Sequence, residues 1–336
     1  METNTILYQL PEIHYLKLRF HLVSAAEARL PAFKGSMLRG AFGHALRKTV
    51  CAIGPQTDCA DCMLKQQCAY TRLFETFITG QPPRFLRGLD TSPRPLVFET
   101  VDTSQTLEAG QPLPFDLVLF GSATEFVPYV VFAVFQMAQT GLGHQRHRFQ
   151  LEQADCQQVS EDNPTEFTWR QLYDAASQSL LFAPIPILLQ NTQVPANNPH
   201  QLRLKFLTPT RLQSKGDYTT EFNFRHLVFK MLRRVLELAY FHEPEAEINW
   251  EFHDLLVAAD KVNIAQRNLH WSDWQRYSNR QHSKVKMGGF VGDLLLEGEL
   301  EPFMELLSYI EVLHFGKGTV FGLGKITVNN EINNKT

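Results

Sequence analysis

The order in which hydrophobic patterns succeed one another constrains this chain more than any other feature. Residues 13–24, IHYLKLRFHLVS, alternate apolar and polar side chains for most of their length, the period of a half-buried strand. Pro31 and the Gly35-Ser36 pair interrupt the chain. MLRGAFGHALRKTV then sets Leu38, Phe42, Ala45 and Leu46 on one face at helical spacing, with Ser36 as the expected N-cap. Residues 95–101 and 113–120 read as strands. Residues 125–140 read as a buried helix with Pro128 in its first turn, where proline is tolerated. Gly141 and Gly143 end that helix, and 147–155 resume a strand, so the order is β, α, β, β, α, β.

The second half repeats that order: a strand at 201–207, a helix at 223–240, strands at 262–277 and 284–298 with a turn near Asn279, a helix at 302–314 and a strand at 319–328. The repeat is one of pattern, without close identity between the halves. Each βαββαβ unit would lay two helices on one face of a four-stranded sheet. The expected class is therefore α+β, with two tandem ferredoxin-like (RRM-like) domains at 1–160 and 201–336. A connector, 161–200, holds Pro164, Pro184, Pro186, Pro195 and Pro199. A cysteine-rich insertion, 51–70, follows the first helix.

A chain of 336 residues is long enough for both cores. No apolar run approaches the ~20 residues that cross a bilayer, and the N-terminus has no basic segment followed by an apolar one, so a cytoplasmic location is expected. The net charge of −3 does not advertise nucleic-acid binding. Local bias does. Residues 29–48 carry Arg29, Lys34, Arg39, Arg47 and Lys48 without an acid, 203–234 carry eight Lys and Arg against two acids, and 261–288 carry six against one. These stretches either share a basic groove or are separate solvated surfaces.

Four of the five cysteines fall in the pattern Cys51-x7-Cys59-x2-Cys62-x5-Cys68. A C-x-x-C with two further cysteines nearby is the grammar of a tetrahedral structural zinc site. An iron–sulfur cluster uses the same ligand count, and reduced cysteines or disulfides are the remaining alternatives. Cys156 stands apart as a small buried residue.

The segment GKGTVFGLGK places Gly316, Gly318, Gly322 and Gly324 beside Lys317 and Lys325. Backbone amides freed by glycine, with flanking lysines, suit a phosphate backbone. A turn in which the glycines admit close packing is the other reading of that spacing. The pattern is neither a Walker loop nor a dinucleotide fingerprint.

Residues 274–328 resemble the C-terminal domain of the CRISPR repeat-RNA processing endoribonucleases of the RAMP superfamily. The resemblance rests on Arg276-Tyr277-Ser278, the GGFVG turn at Gly288 to Gly292, Leu313-His314-Phe315-Gly316-Lys317-Gly318 and Gly322-Leu323-Gly324, in order. FKGSMLRGAFGHALRK, residues 33–48, resembles the first-helix region of the same family. The match is looser over 71–260. The resemblance implies metal-independent cleavage of CRISPR precursor RNA within its repeats, without a catalytic cofactor. The 2′-OH would attack the adjacent phosphate, leaving a 2′,3′-cyclic phosphate and a 5′-OH. It also implies handover of the product to a CRISPR effector complex by a monomer or homodimer. A non-catalytic RNA-binding subunit of such a complex is the alternative that the same superfamily contains.

That reaction needs a base, an acid and cations around the phosphorane. At ~100° per residue His44 lies off the apolar stripe of its helix with Lys48 one turn on. In the resembling family a histidine on or near the first helix serves as base, so His44 and Lys48 are the catalytic candidates. The alternative is an ordinary surface histidine. Arg39, Arg276, Tyr277, Arg280, Lys284, Lys286, Gly316, Lys317, Gly318, Gly322, Gly324 and Lys325 are the candidate RNA contacts. His144, His147, His282 and His314 are expected in structural or RNA-contacting places, and Trp271 and Trp274 in hairpin or core packing.

Overall fold

The computed structural model describes residues 8–54, 56–78, 80–89, 91–100, 102–163, 166–191, 200–214, 216–273, 275–278 and 283–329. The chain divides into two compact units. One is His14–Leu188 with Phe241–Glu243; the other is Met1–Ile13, Leu189–Tyr240 and Pro244–Thr336.

In the unit built on His14–Leu188, strand β1 (His14–Ser24) runs between β3 (Pro112–Phe120) and β4 (Phe149–Val159), antiparallel to both. β2 (Leu96–Glu99) pairs with β3. The order β2-β3-β1-β4, with helix α1 (Gly35–Val50) after β1 and helix α2 (Val127–Thr140) after β3, is the expected βαββαβ connectivity. Alternation along β1 buries Leu16, Leu18, Phe20 and Leu22 completely. α1 adds Leu38, Phe42, Ala45 and Leu46, and α2 adds Val130, Val134 and Met137. Pro128 sits at the start of α2, where its missing N–H costs nothing.

The expected N-cap Ser36 lies inside α1, and Lys34 occupies the cap position. Lys34 is fully buried and donates to the Asp102 and Ser104 carbonyls at 2.9 and 2.7 Å, so tertiary contacts set where the helix begins. The stretch read as a connector also differs. β5 (Phe167–Asp174) pairs with β4, β6 (Ser179–Leu180) pairs with β5, and β7 (Ile187–Leu188) pairs with β1. These strands extend the first sheet, and the unit ends at Leu188 rather than 160. Leu172 and Tyr173 are buried there, which fixes β5 to the sheet despite the surrounding prolines.

The second unit has the same connectivity. β8 (Gln201–Thr210), helix α3 (Phe224–His242), β9 (Asn263–Ser272), β12 (Gly289–Glu297), helix α5 (Met304–Leu313) and β13 (Ile326–Asn329) form a sheet of order β9-β12-β8-β13. A short helix, α4 (His253–Ala259), lies in the acidic block before β9. The strands expected at 262–277 and 284–298 are each split. Beyond β9 a separate ribbon pairs β10 (Gln275–Ser278) with β11 (Ser283–Lys286), and the turn at Asn279 is outside the described residues. The last expected strand, 319–328, starts late: Thr319–Phe321 is a single 3-10 turn between the left-handed glycines Gly318 and Gly322.

Candidate active site and nucleic-acid interface

α1 presents three different faces. Leu38, Phe42, Ala45 and Leu46 go to the core. Arg39 and Arg47 turn toward the segment after the helix. The Arg39 guanidinium lies 3.9 Å from the Phe74 ring centre, and Arg47 donates to the Thr57 carbonyl at 3.2 Å. Phe74 belongs to a π-helical turn, Thr71–Glu75, and its ring rests where a side chain on Gly43 would be, so Gly43 is required by packing. The remaining face carries Gly40, His44 and Lys48 at four-residue spacing, all exposed. A Cβ placed on Gly40 meets nothing within 4 Å. That glycine is not needed for packing, and it leaves the helix bare one turn before His44. His44 and Lys48 thus occur together on an open surface, where an imidazole and an ammonium could address one phosphodiester.

The glycine-rich segment divides in two. After α5 ends, His314 takes a left-handed φ of 53° and is fully buried, its Nδ1 3.1 Å from the Leu323 carbonyl. Phe315 N–H donates to the Gly324 carbonyl and Gly324 N–H to the Pro209 carbonyl. A Cβ on Gly324 would overlap the Phe315 carbonyl. The Thr208 hydroxyl donates to the Gly322 carbonyl at 2.8 Å and accepts from the Lys325 N–H at 2.9 Å. Gly322 and Gly324 are therefore buried hinges of a folded-back loop. Gly316 and Lys317 form its exposed tip, with Gly318 half-buried behind them. The tip is held from beneath by Lys317 N–H donating to the Arg211 carbonyl at 3.1 Å.

Under this loop lies Arg234 of α3. It is buried and donates from Nε and Nη2 to the Leu313 carbonyl, both at 3.3 Å. A cation on the orphan carbonyls at a helix C-terminus complements the helix dipole. Burial pulls the Arg234 pKa down to about 10, with Glu237 opposing. Beside it, burial and the nearby Arg233 and Lys317 hold Lys230 below the usual lysine range. Lys230 thus lies within repulsive reach of both Arg233 and Lys317, with Glu237 opposing them and paired to Arg233 at 2.7 Å. The basic stretch 203–234 signalled this group, but only the loop's return onto α3 picks out which of its residues belong.

The ribbon pairs Arg276 with Val285, Tyr277 with Lys284 and Gln275 with Lys286. The side chains of Arg276, Tyr277, Lys284 and Lys286, and all of Arg280, Trp274 and His282, lie outside the described residues. Trp271 is not core. It is 41% exposed on β9, with Nε1 donating to Asp273 at 2.8 Å, and offers an aromatic face. His147 accepts the Arg29 N–H at 3.2 Å.

All four clustered cysteines are free thiols, and all line one small cavity with Arg47 and Tyr70. Among the described residues no group of three or more His, Cys, Asp or Glu side chains is arranged to hold a metal ion. No described helix is long and apolar enough to cross a membrane.

Two family models match. One, AF_1859_N, an N-terminal domain, matches residues 10–184 and so covers more than half of the chain. The other, CRISPR-associated endoribonuclease Cas6, matches residues 204–326, which contain β8, α3 and the glycine-rich loop. Residues 204–326 are thus a CRISPR-associated endoribonuclease Cas6 domain. Solved Cas6 structures agree in fold. A Cas6 product complex has a TM-score of 0.54 at 16% identity, covering 94% of this chain and 99% of that one. A Thermus thermophilus Cas6 has a TM-score of 0.50 at 16% identity with the same coverage. In a Cas6-RT-Cas1–Cas2 complex the match has a TM-score of 0.56 at 13% identity, covering 99% of this chain and 30% of that one. An uncharacterized protein of Archaeoglobus fulgidus is 26% identical over 113 residues, 34% of this chain and 37% of the relative, so the match spans well under half of that protein.

Proposed function

We propose that this chain is a metal-independent endoribonuclease that cuts CRISPR precursor RNA within its repeats, using two tandem ferredoxin-like domains. The observation that carries the reading is the bare face of α1, where His44 and Lys48 stand exposed one turn apart beside an uncrowded Gly40. His44 removes the proton from a ribose 2′-OH, which attacks the adjacent phosphorus. The P–O5′ bond breaks and the departing O5′ takes a proton from solvent, leaving a 2′,3′-cyclic phosphate and a 5′-OH. Lys48 offsets charge on the phosphorane. Because the nucleophile is already part of the substrate, no water needs activation and no cofactor is required for the chemistry.

RNA is gripped in the other unit by Gly316, Lys317 and Gly318 at the loop tip with Lys230 and Arg233 of α3 beside them. Arg276, Tyr277, Arg280, Lys284 and Lys286 of the ribbon and Lys325 contribute further contacts, as does Arg39 in the first unit. Gly322 and Gly324 serve this grip by shaping the loop. The product is a guide RNA passed to a cytoplasmic CRISPR effector complex. Incubation of labelled repeat RNA with the protein in EDTA tests the proposal. Cleavage that ends in a cyclic phosphate and is slowed in His44→Ala supports it, whereas binding without cleavage by the wild type identifies a non-catalytic subunit.

A further inference from the structure

The segment between α1 and the π-helical turn is held by local, surface hydrogen bonds, such as Lys65 Nζ donating to the Ala60 carbonyl at 2.7 Å, and by no core of its own among the described residues. Among the described residues from 51 to 68, not one is buried. Its larger apolar side chains face solvent, with Ile53 at 47%, Met63 at 87% and Leu64 at 40% exposure. A segment of that length without regular structure or core needs another constraint to keep one conformation.

The four cysteines are placed to supply it. Cys51 caps the C-terminus of α1, and Cys68 N–H and C=O join the turns that lead into the π-helical turn, through Leu64 and Arg72. Between them Cys62 N–H approaches the Cys59 carbonyl at 3.4 Å and Lys65 N–H the Cys62 carbonyl at 3.1 Å, closing a C-x-x-C knuckle. All four line the same cavity of about 20 Å³. A space of that size holds about one water-sized body, which fits a single ion. Cys51 Sγ presently donates to the Gly54 carbonyl at 3.5 Å. Loss of that proton and rotation about χ1, which has three staggered wells, free it to face the cavity. Arg47 lines the cavity and offsets the charge of bound thiolates.

We propose that Cys51, Cys59, Cys62 and Cys68 bind one structural zinc ion as four thiolates, releasing their protons. The ion ties the end of α1 to the start of the π-helical turn. Those two elements meet where Phe74 packs on Gly43 and Arg39, adjacent to His44. The site therefore braces the helix that carries the proposed base without entering the chemistry, and it stands whether or not the chain cleaves RNA.

The full chain, purified without chelator, is first assayed for metals by elemental analysis. The expected result is about one zinc per chain, released as four thiols react with a mercurial. Replacement by cobalt should give thiolate-to-cobalt absorption and the visible bands of a tetrahedral site. Cys59→Ser and Cys62→Ser should each lose the zinc and melt lower, while Cys156→Ser should retain it. Absence of zinc from the wild type, zinc retained in both knuckle variants, iron with acid-labile sulfide, or thiols oxidised in pairs would each overturn the proposal. Because the wild-type metal content is read first, misfolding of a serine variant does not leave it undecided.

Discussion

At the scale of residues, the proposed chemistry falls on one stripe of α1. His44→Ala should reduce single-turnover cleavage by about 10²- to 10⁴-fold, the range of a lost general base, with RNA affinity little changed. Gly40→Ala separates stability from function. Its Cβ enters open space, so the substitution should stabilise the helix by about 0.5–1 kcal/mol, read as a raised melting temperature. If RNA lies against this face, cleavage should fall while stability rises. An unchanged rate would move the substrate elsewhere. The exposure of His44 was legible in the sequence, because its angle from Leu38 follows from helical period alone. The fates of Arg39 and Arg47 were not, because the rings they meet, Phe74 and Tyr70, come from a turn whose position no local pattern encodes.

At the scale of elements, the glycine-rich loop and α3 act as one device. Neutralising Lys317 should weaken RNA binding about equally across sequences and lower the slope of log affinity against log salt by about 1. Lys230 adds a pH signature. Its cationic form is disfavoured in the free protein by burial, Arg233 and Lys317, and a bound phosphate favours it. Binding should therefore be accompanied by proton uptake at alkaline pH, with affinity lost as pH rises through the depressed Lys230 pKa. Calorimetry in buffers of different ionisation enthalpy measures this, and Lys230→Met should abolish it. Arg234→Met should destabilise the fold by about 2–3 kcal/mol, because the Leu313 carbonyl loses a charged donor; a denaturant midpoint close to wild type would contradict that role. The sequence read GKGTVFGLGK through glycine count and flanking lysines. It could not separate tip from hinge, since Gly324 and Gly316 differ in what the fold places around them: Phe315 and Pro209 enclose the first, whereas the second rests on the Arg211 backbone with its other side exposed. The same limit made 319–328 read as continuous strand, although the apolar residues Val320 and Phe321 belong to a turn.

At the scale of the molecule, the two βαββαβ units were visible because periods of 2 and 3.6 recur in the same order. Their border was not. Prolines marked 161–200 as a connector, yet the pairing of β5 with β4 depends on a partner strand that no proline reports. The charge pattern behaved similarly: a net charge of −3 concealed the group formed by Lys230, Arg233 and Lys317, which is assembled by the fold. On the proposed function, this chain cuts repeat RNA with its own side chains. The most direct measurement is single-turnover cleavage of end-labelled repeat RNA in excess EDTA, with both product termini identified. One cut per repeat is expected, leaving a 2′,3′-cyclic phosphate and a 5′-OH, and slowed by about 10²- to 10⁴-fold in His44→Ala. Full cleavage by that variant, or activity that requires an added divalent ion, would contradict it.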